Sequence, residues 1–394
     1  RMNLMSAVAA AGAAGLAALA ARRLPGHTSV LSALSAGLSL GLAPLFWSQA
    51  LIAEVYAPAA LLGTLVILLA LSGVVPWVLG AVWGMGVGAH PTLIFLAPLV
   101  LQGPLAREQW GEKARAVAQL GLAALIGWGL MYGPVLLARN GAASPWADVD
   151  TLDGWWALVS ARLYRGYVLG LPLAAWPQRL LAWVGVLARQ FTPIGALLAG
   201  IGWLSLWHER RGLAAGSLSS FAGFGIYALG YDASDSLVYL VPALPLAAVW
   251  LGVGLNRAVE WLRKRLGRAG EGVSVRWSPA LVLVIPLVQA LFFWRVTDLS
   301  GDWTAMAWAD RTLEAAPPHA VLLTDSDAHT FTLWYAHEVL ERRPDVVVID
   351  RALWHQDVYR EQIAAELMLT DVDPALSAEI AARWAGRPVV VATE

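Results

Sequence analysis

For its first three quarters the chain alternates long apolar stretches with short polar connectors, and then it changes character. The apolar segments run at about 4–21, 29–46, 57–72, 74–89, 91–103, 117–138, 184–207, 213–230, 237–256 and 277–296. The longest of them reach the ~20 residues that a helix needs to cross a hydrocarbon core. Several are shorter, and one long tilted helix could replace the pair 74–89 and 91–103. Charge argues for keeping that pair apart. The basic connectors are Arg22/Arg23, Arg107/Lys113/Arg115, Arg210/Arg211 and the cluster Arg257, Arg263, Lys264, Arg265 and Arg268. Ten crossings place all of them on one face, cytoplasmic by the positive-inside rule, and merging the pair breaks that parity. The expected architecture is a polytopic α-helical membrane domain of about ten transmembrane helices over residues 1–296, with both its start and the tail outside.

From Thr297 the pattern becomes α/β. A helix is expected over Trp303–Ala315, a strand over Ala320–Thr324, and a helix from Asp325-Ser326-Asp327 through Glu341. A second strand follows at Asp345–Ile349, then helices near 355–368 and 375–385, and a third strand at Pro388–Ala392. Alternating strands and helices imply a small parallel sheet with right-handed crossovers. Residues 297–394 are thus expected to form an extracytoplasmic α/β domain, truncated at its C-terminus because Glu394 comes right after a strand. The start is also expected to be incomplete. Arg1 stands where an initiator Met would, and the run from Leu4 to Ala21 has its Arg pair behind it, whereas a signal peptide has its charge in front. No internal repeat of 20–50 residues is visible.

Composition agrees with this. The chain is 58% hydrophobic and 14% charged, too apolar to cover a water-facing surface, so lipid solvates much of it. The net charge of -1 says nothing about partners, because the two signs are segregated along the chain. The absence of cysteine excludes disulfides and thiolate metal sites. Trp numbers 21, which suits membrane interfaces and stacking on sugar or lipid faces.

The ten-span topology gathers the candidate chemistry on the outer face. Glu54 sits in an apolar run near the outer end of a span, with Trp47, Gln49 and Tyr56 close in sequence. Ionisable groups there face a cavity or a partner, or else reach water. His90, in Gly88-Ala89-His90-Pro91, breaks two apolar halves and could donate to a phosphate or a sugar hydroxyl, or be a surface loop residue. The long loop from Arg139 to about Pro177 carries a breaker, Ser144-Pro145-Trp146. It also carries a short surface helix, capped near Asp150-Thr151, that bears Trp155, Trp156, Leu158 and Val159. Arg162, Tyr164, Arg165 and Tyr167 follow as a basic-aromatic group suited to a phosphate and a sugar or lipid chain, or to snorkelling. Asp232 and Asp235, with Tyr231 and Tyr239 beside them, could hold a cation or a hydroxyl, or form a solvated turn. Asp325-Ser326-Asp327 is similar to the metal-binding Asp-x-Asp of soluble nucleotide-sugar transferases, but acidic residues after a strand also cap the next helix, and no metal is assigned. There is no Gly-rich phosphate loop, no Gly-x-Ser-x-Gly, no His-Glu-x-x-His and no basic nucleic-acid patch.

Phe46-Trp-Ser-Gln-Ala-Leu-Ile-Ala-Glu-Val-Tyr56 resembles the signature segment of a bacterial membrane family catalogued as a domain of unknown function. That family is related to the animal transmembrane protein O-mannosyltransferase and belongs to the GT-C glycosyltransferase superfamily. Four further stretches are similar to it in the same order: Arg1-Met-Asn-Leu-Met-Ser-Ala7, Gly88-Ala-His-Pro-Thr92, Tyr164-Arg-Gly-Tyr167, and Leu322-Leu-Thr-Asp-Ser-Asp327 with Thr330-Phe331, Leu333-Trp-Tyr335 and Arg343-Pro-Asp-Val-Val-Val348. Together they span essentially the whole chain. The resemblance implies an inverting membrane glycosyltransferase. It would move a sugar such as mannose from a polyprenyl-phosphate carrier to a protein hydroxyl or a cell-envelope glycan on the outer face. The donor lipid is then a substrate, and neither a cofactor nor nucleic acid is implied.

One departure matters. In the family the Arg-Met-Asn-Leu-type segment follows a first helix and an outer loop with a Gly-Asp-x-Gly-Glu-Phe-like motif, which supplies the catalytic carboxylate. The general base is therefore expected upstream of Arg1, and this fragment alone is expected to be inactive. Arg165, with His90, would steady the departing lipid phosphate, and Glu54 would position acceptor or sugar. A polytopic transporter or lipid-linked sugar flippase is the alternative, though such proteins often show inverted repeats. A membrane-anchored module whose tail recognises a partner is a third reading.

Overall fold

The computed structural model describes residues 2–24, 28–137, 149–267, 278–369, 377, 383 and 385–392. The chain divides into two compact units, one of residues 1–133 with 166–298 and one of 134–165 with 299–394.

The first unit is a bundle of apolar helices. Six of the described helices are long and apolar enough to cross a membrane: Asn3–Arg23, Trp110–Val135, Leu173–Glu209, Arg211–Gly230, Ser236–Arg265 and Ala280–Thr297. A bent pair, Val30–Gly41 and Pro44–Leu51, which meet at 60°, is apolar enough to make a seventh if it crosses as one. Three shorter apolar segments, Tyr56–Ser72, Pro76–Ala89 and Pro91–Leu105, complete the bundle. The Ser236–Arg265 element is its central rod, since nearly all of its apolar window is buried.

Local chemistry explains most element ends. Ser29 caps the Val30 helix by accepting from Ser32 N–H at 3.1 Å. Pro44 and Pro76 stand in the first turns of their helices, where a missing N–H costs nothing. Gly73 closes the Tyr56–Ser72 helix at φ 65°, a left-handed conformation that glycine adopts without strain.

The sequence expected 29–46 to be one segment and Phe46–Tyr56 to be a connector. The structure instead breaks the helix at Leu42-Ala43 and makes residues 44–51 helical again. The pair 74–89 and 91–103 is two elements. His90 is extended, at φ -152° and ψ 121°, and the chain then doubles back, so that Trp83 Nε1–H donates to Leu93 O at 2.9 Å. Arg107 thereby returns to the Gly73–Pro76 turn.

The long Trp176–Glu209 helix is broken inside, at Thr192, which takes φ 62° and ψ 159°. Pro193 excludes the residue before it from helical geometry, which leaves carbonyls without partners. Buried Gln289 supplies donors. Its Nε2 reaches Gln190 O at 2.5 Å and, in the other broken span, Ser39 O at 2.9 Å. Gln190 Oε1 in turn accepts from Leu45 N–H at 2.9 Å. Two helix breaks are thus held by one buried amide pair.

The basic connectors collect at one end of this bundle. Ser29 N–H, just past Arg22/Arg23, donates to Asn256 Oδ1 at 2.9 Å. Arg257 reaches Ser205 Oγ at 2.8 Å and pairs with Glu209 and Glu260. Gly212 and Gly216, after Arg210/Arg211, lie against Gln102, which precedes Arg107. Arg268 lies outside the described residues.

In the second unit Thr151 Oγ1 accepts from Gly154 N–H at 3.0 Å and starts the helix Leu152–Val159. The breaker at Ser144-Pro145-Trp146 and most of 375–385 lie outside the described residues. A helix at Thr304–Ala315 precedes a three-stranded parallel sheet. The strands are β1 (Val321–Thr324), β2 (Val347–Asp350) and β3 (Val389–Val391), in the order β2-β1-β3. In register, Val321 faces Val347 on one side and Val389 on the other. β1 and β2 are fully buried, as a covered parallel sheet requires.

Candidate functional site

At the end of the bundle opposite the basic connectors, rings from four distant stretches meet. Tyr56 opens its helix, His90 sits at the turn, and Tyr239 lies in the 3₁₀ segment Ser236–Ala243. Their ring centroids are 5.5 Å (Tyr56–His90), 5.9 Å (Tyr56–Tyr239) and 6.0 Å (His90–Tyr239) apart. Tyr231 stands edge-on to Tyr239 at 4.7 Å, Tyr227 at 5.0 Å, and Tyr167 stacks on Tyr231 at 5.8 Å. The Tyr239 hydroxyl is the hydrogen-bond neighbour of both Tyr56 and Tyr231. Such a cluster presents phenol hydroxyls and ring faces together, which suits a ligand with both polar and apolar surface.

His90 is held in one orientation. Its Nδ1 lies 2.6 Å from Thr92 Oγ1 and accepts Thr92 N–H at 3.3 Å. With Nδ1 accepting, the neutral ring carries its proton on Nε2. Burial pushes its pKa down to about 4, so the ring is an uncharged donor at neutral pH.

Two carboxylates border the cluster. Glu54 and Asp235 both act electrostatically on Tyr56. Glu54 does not occupy a helix at membrane depth. It is exposed in the irregular link between Leu51 and Tyr56. Asp235 and Asp232 are exposed as well, and the Asp232 backbone N–H donates to Tyr167 O at 2.9 Å.

Trp47 and Gln49 stand apart from the rings. Trp47 Nε1–H donates to Thr297 O at 3.2 Å, and the Gln49 amide donates to Ser48 Oγ at 3.2 Å. Tyr164 and Arg165 belong to the second unit, in the 3₁₀ turn Arg162–Tyr167, and both are exposed. In that unit Arg162 is engaged by Asp153, with both guanidinium nitrogens on the carboxylate at 2.9 and 2.7 Å. This pairing holds the Asp153 carboxyl below its ordinary value.

Sequence reasoning missed Tyr227 and Arg179. Tyr227 and Tyr231 are spaced i, i+4, which places both on one helix face and was a readable signal. Arg179 donates to Ala233 O at 3.0 Å and to Ser236 Oγ at 2.7 Å, fixing the turn that presents Asp235 and Tyr239. Nothing local marked it out from any other helical Arg.

The tail motifs turn out to be structural. Ser326 caps the helix Asp327–Trp334, and Asp325 is taken by Arg351. Among the described residues no group of acidic or histidine side chains could hold a metal. In Arg343-Pro344-Asp345 the guanidinium saturates its five donors. Two go to Asp345 at 2.8 and 2.9 Å, and three to the Leu313, Ala316 and Pro317 carbonyls at 2.5, 3.0 and 2.9 Å.

Two comparisons bear on this chain. Residues 305–374 match the family model of TMEM260-associated domain 2. No curated protein matches the chain.

Proposed function

We propose that this chain is the membrane body and outer tail of a GT-C-type glycosyltransferase that uses a polyprenyl-phosphate sugar. The single observation carrying the reading is the ring cluster. It joins Tyr56 of the signature segment to His90 of Gly-Ala-His-Pro, at the end opposite the basic connectors. The domain match at 305–374 supports relation to the TMEM260-type family, for which the resemblance implies O-mannosyl transfer.

In this reading the ten-span count puts the cluster on the outer face. His90 Nε2–H and the tyrosine hydroxyls bind donor sugar or phosphate, and Asp235 and Glu54 accept from hydroxyls of sugar or acceptor. The acceptor hydroxyl oxygen attacks the anomeric carbon. Its proton goes to a carboxylate, and the polyprenyl phosphate leaves with the bonding electron pair, inverting the centre. The base is assigned to the acidic motif that the resemblance places ahead of the Arg-Met-Asn-Leu segment.

The flippase reading has an observation of its own. Two discontinuous helices meet at Gln190 and Gln289, as in transporters built on broken helices. One experiment separates the two. The full-length protein, reconstituted in vesicles, is given labelled polyprenyl-phosphate mannose and an acceptor peptide or glycan. Glycosyl transfer is expected, and His90→Phe should weaken donor binding roughly 3- to 10-fold through loss of one neutral hydrogen bond. Movement of the label across the bilayer without transfer would replace this reading with the flippase.

A further inference from the structure

We propose that the groove between the helices Met2–Arg23 and Val30–Gly41 binds one anionic phospholipid, with its phosphate at Arg22 and Arg23 and an acyl chain along the groove. This site lies at the end of the bundle with the basic connectors, away from the ring cluster, and does not depend on the function proposed above.

Three observations carry it. The first is space. A cavity of about 550 Å³ lies between the two helices, walled by Gly15, Ala18, Ala33 and Leu34. Apart from the helix's own backbone, no atom lies within 4 Å of where a Gly15 side chain would begin, so the floor is open. The second is its rim. Leu19 and Val30 are each 56% exposed and offer apolar edges to a chain. The third is charge. Arg22 and Arg23 line the same cavity, both exposed, and neither makes an ion pair among the described residues. At the same end Arg257 is paired with Glu209 and Glu260, so partners are supplied where the fold needs them.

Charge complementarity therefore points to an anion from outside the protein, and the apolar groove makes it an anion with a chain. Hydrocarbon is as apolar as the groove, so the groove alone selects no lipid. Selection comes from two guanidinium groups, which hold a phosphate by charge-assisted, fork-like bonds. Two basic residues near a headgroup plane should favour an anionic over a zwitterionic lipid by about 30-fold.

These 394 residues hold no cysteine, so Leu19→Cys, with any cysteine elsewhere in the full-length protein replaced by Ser, gives a single labelling site at the rim. A fluorophore there, in vesicles of otherwise fixed composition, is titrated with brominated phosphatidylglycerol or brominated phosphatidylcholine. Quenching by the anionic phosphatidylglycerol should half-saturate at about 30-fold lower mole fraction than quenching by phosphatidylcholine. Arg22→Gln with Arg23→Gln should abolish that preference. Arg263→Gln, Lys264→Gln and Arg265→Gln together remove three charges from the same end and should leave it intact. Gly15→Leu should fill the groove and reduce quenching by both lipids. Equal quenching by both lipids in the parent overturns the proposal, because the Arg pair then only snorkels. Loss of preference in the triple variant also overturns it, because surface potential then does the selecting. No quenching by either lipid means that a protein segment fills the groove, and the proposal fails.

Discussion

Gly202 and Gly254 let the long broken helix and the central rod approach at backbone distance. A Cβ on Gly202 would stand 1.9 Å from Trp250 O, and one on Gly254 would stand 1.9 Å from Leu198 O. Both neighbours are carbonyls inside helices and cannot rotate away. Restoring ordinary contact at 3.4 Å means parting the two backbones by about 1.5 Å at the crossing. Helix association in a membrane rests on such close packing, with no hydrophobic term to replace it. Gly202→Ala should then cost about 1–3 kcal/mol, the usual range for overpacking, or roughly 5- to 150-fold in the folded-to-unfolded ratio. Gly200 is the control. It lies on the same helix, has nothing within 4 Å, and should tolerate alanine or gain up to about 1 kcal/mol in helix propensity. The assay is reversible unfolding in mixed micelles with rising dodecyl sulfate, followed by far-UV circular dichroism. Coincident curves for Gly200→Ala and Gly202→Ala would refute the crossing and with it the placement of Tyr239, which the central rod presents.

Three further outcomes are expected. Arg165→Ala should weaken binding of polyprenyl-phosphate sugar by the full-length protein about 10- to 150-fold, with Arg165→Lys recovering part, and unchanged affinity would return the residue to a headgroup role. Asp345 is held well below the carboxylate range by Arg343 and by the His319 N–H, so its contribution to the tail is complete above pH ~4 and declines as pH falls through its depressed value. Asp345→Asn should flatten the acid limb of the tail's unfolding profile, and an unaltered limb would show that the clamp contributes nothing. Single cysteines at Ser300 and Arg265 should label from opposite sides of a sealed vesicle, and labelling of both from one side would break the ten-span topology.

Much of the local architecture was legible in the sequence. The apolar runs marked the helices of the bundle, although among the described residues six, or seven with the bent pair, rather than ten are long and apolar enough to span. His90-Pro91 marked a chain reversal, the stretches at Asp150-Thr151 and Asp325-Ser326-Asp327 marked helix starts, and three aliphatic runs marked the three strands. Each of these signals acts between residues no more than about four apart, through capping, proline sterics or the hydrophobic run itself. The break at Leu42-Ala43 was not read, because the apolar run continues through it without a polar residue.

The site was legible only in part. His90, Tyr56, Tyr231 and Tyr239 were named from sequence, but their meeting depends on elements up to 183 residues apart. Arg179 acquires its role from a turn more than fifty residues away, and Gln289 acquires its role from two helix breaks that no local signal connects to it. Arg343 looked like part of a family motif, and the fold makes it a clamp on the preceding helix end. The sequence by itself determined that this is a membrane chain with an α/β tail, because hydropathy and periodicity are properties of neighbouring residues. Only the tertiary structure decided which polar groups meet, because a buried hydrogen bond or a ring contact needs two distant backbones held at fixed separation, and packing sets that separation.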